Sequence, residues 1–166
     1  SNQNANEAFI QIFDCKSLNS LMRNINCFLD QINLTNYELG SNIEDCRKKL
    51  KGDIGELFAF AWIQEFGCIF DLVNPKLAPR DYKGIDLFSG YVKGGLATIQ
   101  VKWWEHVNEI ETGQLETLYV QASNLRPEKI VIWTTLPKYK ISSRYNNFSN
   151  TNTIIIDNQK IDKYYK

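Results

Sequence analysis

The chain has 166 residues, 43% of them hydrophobic and 23% charged, which suits one globular domain with a sizeable core. Nineteen Lys and Arg balance nineteen Asp and Glu, so no whole-protein field attracts a polyanion, and any nucleic-acid surface must come from local asymmetry. Four cysteines without CxxC spacing and a single histidine argue against a zinc site or redox motif, while no long apolar run or leader suggests a membrane, so a cytoplasmic protein with free thiols is expected.

Residues 7 to 33 read as helix, because Phe9, Ile12, Phe13, Leu18, Leu21, Ile25, Phe28, Leu29 and Ile32 recur at steps of three and four. A break near Asp14–Ser17 divides this stretch. A turn at Leu39–Asn42 precedes a second helix over about 43 to 66, with Ser41 or Asn42 as N-cap and Gly67 at its end. Arg47, Lys48, Lys49 and Lys51 form a basic cluster on it, either a nucleic-acid contact or a solvated face. Lys138, Lys140 and Arg144 supply a second basic group near the tail.

Short strands follow. Cys68–Val73 is apolar and β-branched, whereas 74 to 83 holds two prolines and reads as a loop. Gly84–Phe88 and Leu96–Val101 read as a hairpin joined across the glycines of 89 to 95. Residues 113 to 124 return to helical spacing, and Pro127 stops them. Ile130–Thr135 is a continuous apolar strand, as expected at a buried central position. Thr153–Asp157 is a final short strand, after a polar, Asn-rich stretch from 137 to 152. The order predicts an α/β fold, a mixed sheet flanked by helices, with the last central strand parallel to Leu96–Val101. It reads as one domain of 1–166. A helical extension over 1–40 precedes a core over 41–136, and a loop and strand occupy 137–166.

The chemistry-bearing residues lie in the hairpin. Thirteen residues separate Asp86, in Gly84-Ile85-Asp86-Leu87, from Gln100-Val101-Lys102. Alternate strand residues share a face, so Gln100 and Lys102 point together, and Asp86 on the neighbouring strand reaches the same place. Phosphodiester hydrolysis needs that combination. A carboxylate holds Mg²⁺, and a lysine orients the attacking water or neutralises developing charge. The backbone carbonyl of Val101 is a further oxygen ligand. Glu56, in Gly55-Glu56-Leu57-Phe58 on the preceding helix, offers a second carboxylate; Glu65 is a weaker candidate.

The Gly-Ile-Asp and Gln-x-Lys arrangement, after a helix with a Gly-Glu pair, resembles the PD-(D/E)XK restriction-endonuclease superfamily. Gln100 in the acidic position matches its Mrr-like branch. The resemblance covers about residues 50 to 136 and extends to nuclease domains that precede helicase motors. It implies a restriction-endonuclease-like sheet and a Mg²⁺-dependent DNA endonuclease in which Mn²⁺ substitutes for Mg²⁺. Asp86, Glu56, Gln100 and Lys102 would be catalytic, and Asp86, Glu56 and Val101 would hold the metal. Its expected partners are DNA, or RNA for a toxin-type RNase, with a second copy or a fused helicase and no membrane. The alternative is a catalytically degenerate nucleic-acid-binding or scaffold module, because Gln100 is neutral.

Other residues have plainer readings. Of Trp103 and Trp104, which point to opposite faces, one fills the core and the other props a loop. His106 reads as a surface residue. Gln114 and Gln121 share a face of the later helix, with Gln114 the better candidate to approach the metal. Gly94-Gly95 lacks a phosphate-loop pattern and reads as a hairpin turn.

Overall fold

The computed structural model describes residues 11–31, 42–79, 82, 84–103, 124–137 and 152–164. The first apolar stretch divides where expected. Helical backbone at 11–12 gives way at 14–17 and restarts as α1 (Leu18–Gln31). Leu18, Leu21, Ile25 and Leu29 form its buried stripe, with the spacing that one helix face requires.

The second helix, α2 (Ile43–Phe66), has the expected limits. Asn42, in extended backbone, is the cap, and its side chain accepts a hydrogen bond from the Asp45 N–H at 2.9 Å. Gly67 closes the helix with right-handed backbone, φ −58°. The chain therefore tightens into a 3₁₀ turn (Gly67–Phe70) before Asp71 reverses it at φ 62°.

That turn corrects the strand expected over 68–73. The strand β1 spans Leu72–Leu77 and runs through Pro75, where a loop was expected. Proline lacks a backbone donor, but β1 stands at the edge of the sheet, where one missing donor is tolerated. Asn74 at φ 52° and a register shift between Val73 and Lys76 mark a local bulge.

The hairpin is present as β2 (Leu87–Tyr91) and β3 (Leu96–Lys102), paired antiparallel with Leu87 opposite Ile99. Its turn uses Gly94 and Gly95 at φ 100° and 96°, a region that costs glycine little. The strand β2 begins three residues later than expected, so Asp86 precedes it. Next come β4 (Lys129–Thr134) and β5 (Thr153–Ile156). The sheet order is β1-β2-β3-β4-β5; the first two pairings are antiparallel and the last two parallel. The chain is thus α/β with a mixed five-stranded sheet. As expected, β4 lies parallel to β3 and is buried from Ile130 to Thr134. Of the expected helix over 113–124, residues 113–123 lie outside the described residues.

A short α3 (Asn158–Lys163) ends the fold where only a loop and strand were expected. Six residues with one buried side chain, Ile161, are too few for apolar periodicity to show. Asp157 caps it by accepting from the Lys160 N–H at 3.0 Å. Asp162 in turn accepts from the Leu18 N–H at 2.7 Å, which ties α3 to the start of α1.

One apolar cluster joins these parts. The α1 stripe, Phe58, Trp62 and Ile63 of α2, Leu87, Ile99, Val131, Trp133 and Ile156 of the sheet, and Ile161 of α3 all belong to it. The segments outside 41–136 therefore share the central core. On β3, Ala97, Ile99 and Val101 pack in this cluster, and Thr98, Gln100 and Lys102 alternate with them. No helix among the described residues is long and apolar enough to cross a membrane.

Candidate active site

Asp86 sits where the β2–β3 ladder opens. Its N–H donates to the Ile99 carbonyl at 3.0 Å, and its own carbonyl accepts from the Ala78 N–H at 2.9 Å. The backbone is thereby fixed between β3 and the segment after β1. The carboxylate Oδ2 accepts from the Val101 N–H at 2.7 Å. An extended residue directs its N–H and carbonyl to the same side, so the Val101 carbonyl also faces the Asp86 side of β3. Lys102 follows as the last residue of β3.

Glu56 reaches the same place from α2, and its neighbour explains how. A Cβ on Gly55 would meet ring atoms of Trp103 at 2.8, 2.9 and 3.0 Å. Only a residue without a side chain lets the helix lie this close to the end of β3. Gly55 thus seats α2, and Glu56 stands at the rim. Trp103 stacks on Trp133 with centroids 5.9 Å apart and meets Phe58 edge-on at 6.0 Å, so it packs against the core while also lining the smaller of two cavities at the site.

Two cavities meet at the carboxylates. One of about 340 Å³ gathers Glu56, Asp86, Val101 and Lys102 with Lys48 and Asp53. The other, of about 510 Å³, shares Lys49, Asp53, Glu56 and Asp86 and continues over Leu77, Pro79 and Tyr82.

The electrostatics agree with this placement. Burial, then the nearby charges of Asp86 and Asp53, push the Glu56 carboxyl from 4.5 up to about 7, while Lys49 pulls the other way. Burial also raises Asp86, against the Val101 N–H and the Lys102 charge that lower it. Burial lowers Lys102, against the attraction of Asp86. For Asp86 and Lys102 alike, the loss of water outweighs what the pair gives back.

Asp86, Lys102, Glu56 and Val101 are thus brought together. Gln100 is not in the lining of either cavity; it is 2% exposed, beneath the rim. Glu65 is exposed and lines neither. Asp53 was missed, although Lys49, Asp53 and Glu56 lie four and seven residues apart, the spacing of one helix face. The basic cluster divides. Arg47 pairs with Asp30 at 2.6 Å and Lys51 donates to Asn26 at 3.2 Å, both toward α1, while Lys48 and Lys49 line the cavities. Trp104, His106, Gln114, Gln121, Lys138, Lys140 and Arg144 lie outside the described residues. No protein-family model matches the chain, and the search of curated proteins found no match.

Proposed function

We propose that this chain is a Mg²⁺-dependent DNA endonuclease of restriction-endonuclease-like fold, akin to the Mrr-like branch. The observation that carries the reading is the meeting of Asp86, Glu56 and Lys102 on one cavity at the open end of the β2–β3 ladder. The mixed sheet and the Gly55–Trp103 contact that seats Glu56 support it.

The donor set suits Mg²⁺. Among the described residues no three His, Cys, Asp or Glu side chains converge as a ready cage. Two carboxylates and a backbone carbonyl form an incomplete oxygen shell, which Mg²⁺ accepts because it keeps several waters and takes oxygens from substrate phosphate. The raised Glu56 carboxyl beside Asp86 is what a pair awaiting a cation would show. When bound, Mg²⁺ supplies Lewis acidity at the scissile phosphate and acidifies the attacking water. Asp86, fixed by the Val101 N–H, and Glu56 hold the ion. Lys102 orients the water or offsets charge developing on the phosphate. Gln100, beneath Lys102 on the same strand, acts as a positioning residue. A double-strand cut needs two such sites, which a second copy would supply; a fused helicase is the alternative partner.

The neutral, buried Gln100 favours a second reading, a nucleic-acid-binding module whose site no longer cuts. Plasmid, single-stranded DNA and tRNA incubated with Mg²⁺ or Mn²⁺ separate the readings. Metal-dependent cleavage lost in Asp86→Ala supports the endonuclease. DNA binding without metal binding or cleavage supports the module, and cleavage of tRNA alone identifies an RNase.

A further inference from the structure

The two cavities differ in chemistry although they share Glu56 and Asp86. Beside the shared Lys49, the smaller adds Lys48 and Lys102, which make one wall cationic. The larger leaves the carboxylates over Leu77, Pro79 and Tyr82, an apolar wall with one aromatic ring. That ring stands on a built support. The Tyr82 N–H donates to the Pro79 carbonyl at 3.2 Å, and the Tyr82 carbonyl accepts from the Ile85 N–H at 2.9 Å. Phe88 of β2 props the ring edge-on, with centroids 5.6 Å apart. The Ala78 N–H to Asp86 carbonyl bond then ties the residue before Pro79 to the Asp86 backbone. Three backbone bonds and one ring contact thus link Tyr82 and its described neighbours to β2 and to Asp86.

From this polarity we infer that the larger cavity is a nucleobase subsite. A base stacks on Tyr82 while its phosphate lies at Glu56 and Asp86, and the neighbouring phosphate lies along Lys48 and Lys49. A cavity of about 510 Å³ has room for a base with its sugar. A base inside a duplex is stacked on its neighbours and cannot enter a side cavity without being extruded. The preferred substrate is therefore a single strand or an unpaired nucleotide, not a stacked duplex. This assignment rests on the phosphodiesterase reading of the site and names its substrate class.

The test is binding, so that it does not depend on turnover. Fluorescence anisotropy in Ca²⁺ measures the affinity of the protein for a fluorescein-labelled thymidine oligonucleotide, the same-length uridine oligonucleotide, and a DNA duplex. A loss of about tenfold in affinity lies in the lower half of the usual range for base–aromatic stacking. Tyr82→Leu keeps an apolar side chain but no π-face, and should weaken single-strand binding about tenfold while leaving duplex binding nearly unchanged. Tyr82→Phe should bind as the wild type does. The deoxyribose and ribose strands distinguish DNA from RNA as the source of the base. No single-strand binding, unaltered binding by Tyr82→Leu, or an equal loss on the duplex overturns the subsite. A cleavage assay run beside it separates the two claims. Tyr82-dependent binding with no hydrolysis removes the nuclease reading and leaves the subsite standing.

Discussion

Glu56 is the residue through which pH should report on the site. With its carboxyl at about 7, it is roughly 90% protonated at pH 6 and roughly 10% protonated at pH 8. A carboxylate must be ionised to hold a metal, so apparent Mn²⁺ affinity should fall about tenfold between pH 8 and pH 6. Electron paramagnetic resonance of free Mn²⁺ during titration measures this directly. Glu56→Gln should bind more weakly at pH 8 and lose the pH dependence over that window. Lys49→Ala removes the charge that holds Glu56 down, so the midpoint of its profile should move above 7. The same carboxyl acts on stability with a definite sign. Its pKa is raised on folding, so the folded state holds the proton more tightly than the unfolded chain does. The resulting penalty is absent below 4.5, grows as pH rises, and is complete above about 7. Thermal melts should therefore find Glu56→Gln more stable than wild type at pH 8 but not at pH 4. Flat Mn²⁺ affinity from pH 6 to 8, or an identical fall in Glu56→Gln, refutes the reasoning.

Three further outcomes test the packing that places the site. Gly55→Ala forces a methyl against the Trp103 ring and should cost about 1–3 kcal/mol in denaturant melts, with a loss of metal affinity as Glu56 is pushed off the rim. Asp162→Ala removes the carboxylate that accepts from the Leu18 N–H and should cost about 1 kcal/mol, with Asp162→Asn retaining much of the cap. Trp133→Ala opens a void beneath Trp103 and should cost about 3–5 kcal/mol, lowering the melting temperature below that of the other two variants.

What the sequence revealed follows from which signals are local. Asn42, Gly67 and the run of α2 are legible because caps and helical periodicity are written in neighbouring residues. The Gly94-Gly95 turn and the apolar run of β4 are legible for the same reason. The stretch Cys68–Phe70 misleads, because short apolar runs suit a 3₁₀ turn as well as a strand. Pro75 misleads in the other direction, since only the edge position of β1 makes a proline tolerable there. The Asp86 and Lys102 pair is legible through strand alternation and hairpin order. Asp53 is not, because its carboxylate gains meaning only once the face of α2 that meets β3 is known. The role of Gly55 is likewise invisible until Trp103 is seen against it. The pocket wall at Tyr82 depends on a turn whose hydrogen bonds no spacing rule encodes.

Hydrolysis of DNA with Mg²⁺ by the wild type, Asp86→Ala and Lys102→Ala proteins tests the central claim most directly. The account predicts metal-dependent cleavage by the wild type, loss of at least about a hundredfold in either variant, and unchanged folding by circular dichroism. Undiminished cleavage by both variants would contradict it.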